Sequence, residues 1–236
     1  MGKKKLMDVR LAELNWVDAD YIAQKFSAAY LHGVTQKVQF VGELRRQVQK
    51  VHGHIGIVCV PNEWGVTETG KEFTPIDEKR FTGVLKNGSR HKEFMYCLHD
   101  FSALRQKYEE PEQLFVKVEL FITDRGDWGR ILAMRTGDAS FVKDVVASAW
   151  TRKGYVGTKI GLVKKEYCQK KGSQWVVLPE YELTAIAERP YFATEEDFFS
   201  FLNIKLVHPI NRNKNEWPTR PKKTSRRSKG IGADEI

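Results

Sequence analysis

Apolar side chains recur at Leu11, Leu14, Val17, Tyr21, Ile22, Phe26, Ala29 and Tyr30. That spacing is close to 3.6 residues and predicts a helix over 9–30, or two with Asp18 capping the second. The period then shortens. Residues 38–41 and 55–60 are apolar runs of strand length, the first closed by a turn at Gly42 with helical turns over 43–48, the second stopped by Pro61. Residues 81–85 and 93–98 flank Lys86-Asn87-Gly88-Ser89-Arg90, and the Asn-Gly pair predicts a hairpin. Residues 115–122 form a further strand with Lys117 and Glu119 on one face and Val116, Val118 and Leu120 on the other. A glutamate inside an apolar strand either lines a groove or is paired, and the pattern leaves both open.

A turn-rich stretch, Asp124-Arg125-Gly126-Asp127, marks a boundary. Beyond it, Asp138 is placed to cap a helix whose apolar face is Phe141, Val142, Val145, Val146, Ala149 and Trp150, with Gly154 as its stop. Residues 160–167 and 174–178 read as strands joined through Lys170-Lys171-Gly172-Ser173. Thr194-Glu195-Glu196-Asp197 caps a last helix through Phe198, Phe201 and Leu202. The succession predicts an α+β fold: a mixed sheet with helices over 1–125, a smaller α+β unit over 126–212, and a basic tail over 213–236.

Hydrophobic residues make up 41% of the 236-residue chain and aromatics 11%, enough for a core, which excludes a wholly disordered chain despite 29% charged residues. No apolar run approaches the roughly eighteen residues that a membrane helix needs, so no membrane partner is expected. The Met1-Gly2-Lys3-Lys4-Lys5-Leu6 start lacks an apolar signal core, and Leu6 stands where a myristoylation signal carries Ser or Thr. Cys59, Cys97 and Cys168 are far apart with no Cys-x-x-Cys pair, which points to buried thiols in a reducing compartment. An intracellular protein is expected.

Lys and Arg number 39 against 30 Asp and Glu, a formal charge of +9. From position 211 onward, Arg212, Lys214, Arg220, Lys222, Lys223, Arg226, Arg227 and Lys229 face only Glu216, Asp234 and Glu235, so five of the nine net charges lie in the tail. With Pro218, Pro221 and few large apolar residues, this segment cannot bury enough surface to offset its ordering entropy and is expected to be disordered. It reads as a nucleic-acid-binding arm that gains affinity by releasing counterions from phosphates, or as a solubilising tail or localisation signal.

Gly42-Glu43-Leu44-Arg45-Arg46, between the strands at 38–41 and 55–61, resembles the nucleotide-binding signature of the DNA polymerase X family, in which Gly-Ser-x-Arg-Arg precedes a strand bearing Asp-x-Asp. The strand around Val116 to Phe121 is similar to the one carrying the family's third carboxylate, here Glu119. Arg135-Thr136-Gly137-Asp138 resembles the Thr-Gly that opens the thumb helix. Lys153-Gly154-Tyr155, Gly161-Leu162, Thr194-Glu195-Glu196-Asp197-Phe198-Phe199 and Pro209-Ile210-Asn211-Arg212 follow in the family's order. The resemblance runs from Asp8 to Arg212 and is greatest to short viral members made of palm and thumb alone. It implies a nucleotidyltransferase-like palm and a thumb, a phosphate site at Gly42, Arg45, Arg46, Thr136 and Gly137, and nucleic acid as partner, DNA ahead of RNA. Arg135, Arg152, Lys153 and Arg212 would line the binding cleft together with Lys222, Lys223, Arg226 and Arg227 of the tail.

The departures concern the chemistry. In the family, three carboxylates hold two divalent ions that activate the attacking hydroxyl and neutralise the triphosphate. Here the matching strand reads His52-Gly53-His54-Ile55-Gly56-Ile57, with no carboxylate between Gln47 and Pro61. One carboxylate cannot hold two hard cations. Glu43 replaces the phosphate-holding serine, leaving Arg45 and Arg46 either to bind a phosphate or to pair with Glu43. The expectation is a polymerase-like protein that binds nucleic acid without two-metal catalysis and needs no cofactor. The alternatives are an active nucleotidyltransferase using magnesium or manganese through relocated ligands such as Asp100, Asp124 or Asp127, and a component of a protein assembly. A transition-metal site at His52, His54 and Glu119 is a further possibility. Trp64 and Trp128, in turn-rich stretches, are candidates to stack on bases.

Overall fold

The computed structural model describes residues 9–66, 72–73, 76 and 82–213. The leading residues 1–6, Phe81, and the tail residues Lys222, Lys223, Arg226 and Arg227 lie outside that description.

The chain does not begin as a helix. Arg10–Leu11 (β1) and Leu14–Asn15 (β2) are strands, and the first helix, Trp16–Phe26 (α1), starts only after them. Leu11 and Leu14 carry helical spacing, but the Ala12 amide donates to the Phe115 carbonyl at 2.8 Å, so sheet pairing claims this segment first. The cap of α1 is Asn15, whose side chain accepts from the Asp18 amide. Asp18 is instead buried, taking hydrogen bonds from Lys107 Nζ and the Tyr108 hydroxyl, each at 2.6 Å.

Thr35–Val41 (β3) leads through Gly42, with φ +66°, into the short helix Gly42–Arg45 (α2) and then Lys50–Val51 (β4). His54–Pro61 (β5) follows, then the small pair Gly65–Val66 (β6) and Glu72–Phe73 (β7). Val84–Asn87 (β8) and His91–Cys97 (β9) form the hairpin that the Asn-Gly pair predicts, and Leu114–Ile122 (β10) completes the main sheet. Its strand order is β3-β5-β10-β9-β8. The β5–β10 pair is parallel and the others are antiparallel, while β1 runs parallel beside the start of β10. One face buries Val116, Val118 and Leu120 with Ile22, Ala23 and Phe26 of α1.

A helix unforeseen in the sequence, Trp128–Thr136 (α3), covers one end of the opposite face. There Trp128 and Leu132 pack with Val41, Val58, Val60 and Phe121. The neighbouring Ala133 belongs to a second core with Phe141, Val146, Trp150, Phe192, Phe198, Phe199 and Leu202, so α3 is shared between two cores. The helix that Asp138 opens, its Oδ1 accepting from the Phe141 amide at 2.8 Å, is π-helical over Phe141–Ala147 and α-helical over Ser148–Arg152 (α4).

The strands that follow pair differently from the expectation. Tyr155–Thr158 (β11) pairs with Gly161–Lys164 (β12), and Cys168–Lys171 (β13) with Gln174–Val177 (β14). The run at 160–167 thus folds back on its predecessor, because Gly161, at φ +122°, starts β12 after a tight turn. Glu182–Ala187 (α5), also unforeseen, precedes Glu195–Phe201 (α6), which Thr194 and Asp197 cap reciprocally. The fold is α+β, and no helix among the described residues is long and apolar enough to cross a membrane.

Candidate functional site

The uncovered end of the α3 face carries the polar groups. Alternation along β10 sends Lys117, Glu119 and Phe121 to this face, and the sheet register gives each its neighbours. Glu119 has Gly56 of β5 on one side and Glu93 of β9 on the other; Lys117 lies beside His54, and Phe121 beside His91. Lys117 Nζ sits between the two carboxylates, 2.9 Å from Glu93 Oε2 and 3.4 Å from Glu119 Oε1. Hydrogen bonding from this ammonium holds Glu93 below the usual carboxylate range. Burial works against the charge on Lys117, but the bond to Glu93 and the charge of Glu119 outweigh it and raise its pKa.

His91 closes the cluster. Its ring stacks on Phe121 at 4.7 Å, and the Arg135 guanidinium lies 4.0 Å from the centroid of the same phenyl ring. Lys86 Nζ is 2.9 Å from His91 Nδ1. An ammonium only donates, which assigns Nδ1 as the acceptor and the proton of the neutral ring to Nε2. Burial and then the Lys86 charge lower the pKa of this histidine. Its Nε2 is buried without a hydrogen-bond partner and faces Glu93 Oε1 at 3.5 Å and Glu119 Oε1 at 3.8 Å.

His91, Glu93 and Glu119 offer ligand atoms within 4.8 Å of one another, and His54 Nδ1 is 3.9 Å from Glu119 Oε2. The residues present do not fit a two-ion centre. Gly56 stands beside Glu119 and His54 beside Lys117, and the two carboxylates are already compensated by Lys86, Lys117 and Arg135. One imidazole and two carboxylates make a donor set for a single transition-metal ion only if Lys117 withdraws and Nε2 gives up its proton. His52 is not part of this set: its Nδ1 is 3.0 Å from Glu43 Oε1 and its amide donates to Glu43 Oε2. The trio of His52, His54 and Glu119 is therefore corrected, because Glu43 holds His52 away on the turn before β5.

The arginines expected at a phosphate are engaged in joining the two cores. Arg45 donates to Thr136 Oγ1 at 2.8 Å and to Glu195 at 2.6 Å; Arg46 donates to the Thr136 carbonyl at 2.6 Å and to Asn213 at 2.8 Å. Neither hydrogen-bonds to Glu43, whose charge acts on Arg46 against the lowering effect of burial. Arg212 is fully buried, bonded to Glu195 at 2.5 Å and to the Val207 carbonyl. Arg45 and Arg46 thus meet Thr136 beside Gly42, with Glu195 and the Thr136 carbonyl as their acceptors. Gly137 packs on Phe141, where an added Cβ would lie 2.4 Å from the ring. Arg152 and Lys153 are exposed at the end of α4, remote in contacts from this latch: Arg152 donates to Ser148, and Lys153 lies over Phe201.

The proposed relocated ligands are occupied elsewhere. Asp100 accepts from the Cys97 amide, Asp124 pairs with Arg189 and Arg90, and Asp127 is buried against Arg130. Trp128 is a core residue, and the Arg90 guanidinium lies 4.7 Å from the Trp64 ring. The carboxylate that sequence reasoning missed is Glu93. The hairpin was legible, but its register against β10 was not, and that register alone places Glu93 opposite Glu119. No family model matches this sequence, and no curated protein matches it.

Proposed function

We propose that this chain is a polymerase X-like palm and thumb that binds nucleic acid and does not carry out two-metal nucleotidyl transfer. The observation that carries the reading is the Lys117 ammonium between Glu93 and Glu119. It stands on the sheet face where the resemblance would place metal-binding carboxylates, with Gly56 alongside in place of one of them. A fixed ammonium offsets part of the charge that a metal ion would balance, but it has no open coordination position to polarise a phosphoryl group or activate a hydroxyl. Support for nucleic acid as the partner is electrostatic: the chain carries +9, and its lysine and arginine excess suits phosphate contacts that position a duplex without reading its sequence.

The test is extension of a labelled primer in a gapped duplex with all four dNTPs and either magnesium or manganese, beside binding of the same DNA by anisotropy at two salt concentrations. Salt-dependent binding with no extension is the expected result. Extension that disappears in Glu119→Ala would overturn the reading in favour of an active transferase, and absence of binding at low salt would turn it toward a protein partner.

A further inference from the structure

The hairpin of β13 and β14 stands apart from the main sheet as a two-stranded ribbon. Its register sets Lys170 directly across from Trp175 and Lys171 across from Gln174. Gly172, at φ +60° with no atom near its missing Cβ, makes the tight connection that fixes this register. Trp175 is half-buried, and Lys165 Nζ lies 5.6 Å from the centroid of its ring. Lys159, Lys165, Lys170 and Lys171 are all exposed, and among the described residues Lys159, Lys170 and Lys171 form no ion pair.

A cleft of about 670 Å³ opens between this hairpin and β11, bordered by Gly157, Lys159, Gln174, Trp175, Pro179 and Glu182. Its size falls within the range of about 300–1,000 Å³ usual for small-molecule sites. The chemistry is divided: the indole offers a flat apolar surface, Lys159 on the wall, Lys165 over the indole and Lys170 across the ladder from it offer positive charge, and Gln174 and Glu182 offer hydrogen-bonding groups. A carboxylate on the wall is wrong for a phosphate and right for an N–H donor on the edge of a base. Lysines beside the indole are right for phosphates next to that base. Only an unstacked base can lay its face on an indole set in a cleft, which selects a single strand over a duplex.

We propose that the cleft between β11 and the β13–β14 hairpin is a single-stranded nucleic-acid site, with one base stacked on Trp175 and neighbouring phosphates held by Lys159, Lys165 and Lys170. This rests on the nucleic-acid-binding reading above and adds the element, the strand state and the residues. DNA and RNA share the chemistry.

The test uses the full chain and fluorescein-labelled twelve-residue oligo-dT, oligo-U and a twelve-base-pair duplex, read by anisotropy at low and moderate salt. Trp175→Ala is expected to weaken binding of the preferred single strand about tenfold or more and to leave the duplex within about twofold. Trp175→Phe, which keeps a ring, is expected to recover most of the loss and so separates stacking from a folding defect. Replacing Lys159, Lys165 and Lys170 together by Gln is expected to reduce the salt slope by about two. The stronger binder of oligo-dT and oligo-U identifies the strand type, either result being consistent with the site. Wild-type binding that Trp175→Ala leaves unchanged would overturn this inference alone. A wild-type chain that binds none of the three at low salt would overturn the nucleic-acid reading with it.

Discussion

Glu93 and Glu119 are directly opposite in the β9–β10 ladder, two carboxylates on one face of the sheet with Lys117 reaching both. Like charges in that position destabilise a sheet, and Lys117 between them, with Lys86 beside Glu93, offsets that repulsion. The same three side chains therefore settle the local energetics and the local chemistry, and changing one alters both.

Lys117→Met removes the charge while keeping an apolar stem. The carboxylates are then expected to repel, to take up a proton more readily than in the parent chain, and to accept a cation with His91. Titration of manganese or zinc by calorimetry should show about one ion bound per chain in this variant and much weaker binding in the parent. Equal affinity in both would mean that Lys117 does not compete for the site.

Acid should act on this cluster in two stages. His91 has a lowered pKa through burial and the nearby Lys86, and Glu93 a lowered pKa through its bond to Lys117. In both cases the unfolded chain binds the proton more tightly than the folded one, so stability is fully present above the unfolded pKa and is lost as pH falls through the folded one. The His91 contribution should fade below about pH 6.5 and the Glu93 contribution below about pH 4.5. Denaturant unfolding of His91→Gln at pH 7.5 and pH 5.5 should show a smaller loss between the two than the parent shows.

Much of this arrangement was legible in the sequence, and the exceptions share a cause. The Asn87-Gly88 hairpin, the alternation that puts Glu119 on the polar face of β10, and the caps at Asp138 and Thr194 are local signals, and the structure keeps them. The start of α1 and the partners of β12 and β13 were misread because they depend on which distant edge is free to pair. Helix α3 was hidden because its apolar residues serve two cores, Leu132 facing the sheet and Ala133 facing the other way, so no single apolar stripe stands out. The ammonium between Glu93 and Glu119 needed the register of three strands, which no linear spacing reveals.

The three cysteines should differ sharply toward alkylation. Cys59 lies inside β5 with its side chain in the core, and burial pushes its thiol up to about 12. Cys97 and Cys168 are half-buried. Iodoacetamide at pH 8 is expected to label Cys97 and Cys168 in the native chain and Cys59 only on unfolding, as peptide mass mapping would report. Native labelling of Cys59 at the rate of the other two would contradict its place in the sheet.

Glu195 joins two arginines from opposite ends of the chain, Arg45 at 2.6 Å and Arg212 at 2.5 Å. Its side chain is 8% exposed and that of Arg212 is fully enclosed, so the pair is one that water cannot rescue. Glu195→Ala should leave the Arg212 guanidinium buried against the Phe141 and Phe199 rings with the Val207 carbonyl as its remaining hydrogen-bond acceptor and no counter-charge bonded to it, at a cost of about 3–5 kcal/mol in chemical denaturation. If the loss comes from the stranded charge rather than from missing contact area, removing that charge should return part of it. The double variant Glu195→Leu with Arg212→Met is therefore expected to be more stable than Glu195→Ala alone. Arg45 keeps its bond to Thr136 Oγ1 in either background, so its exposure to solvent limits the remaining penalty. A double variant no more stable than the single one would mean that the latch acts through shape and packing, and that the charge of Arg212 contributes little to its need for Glu195.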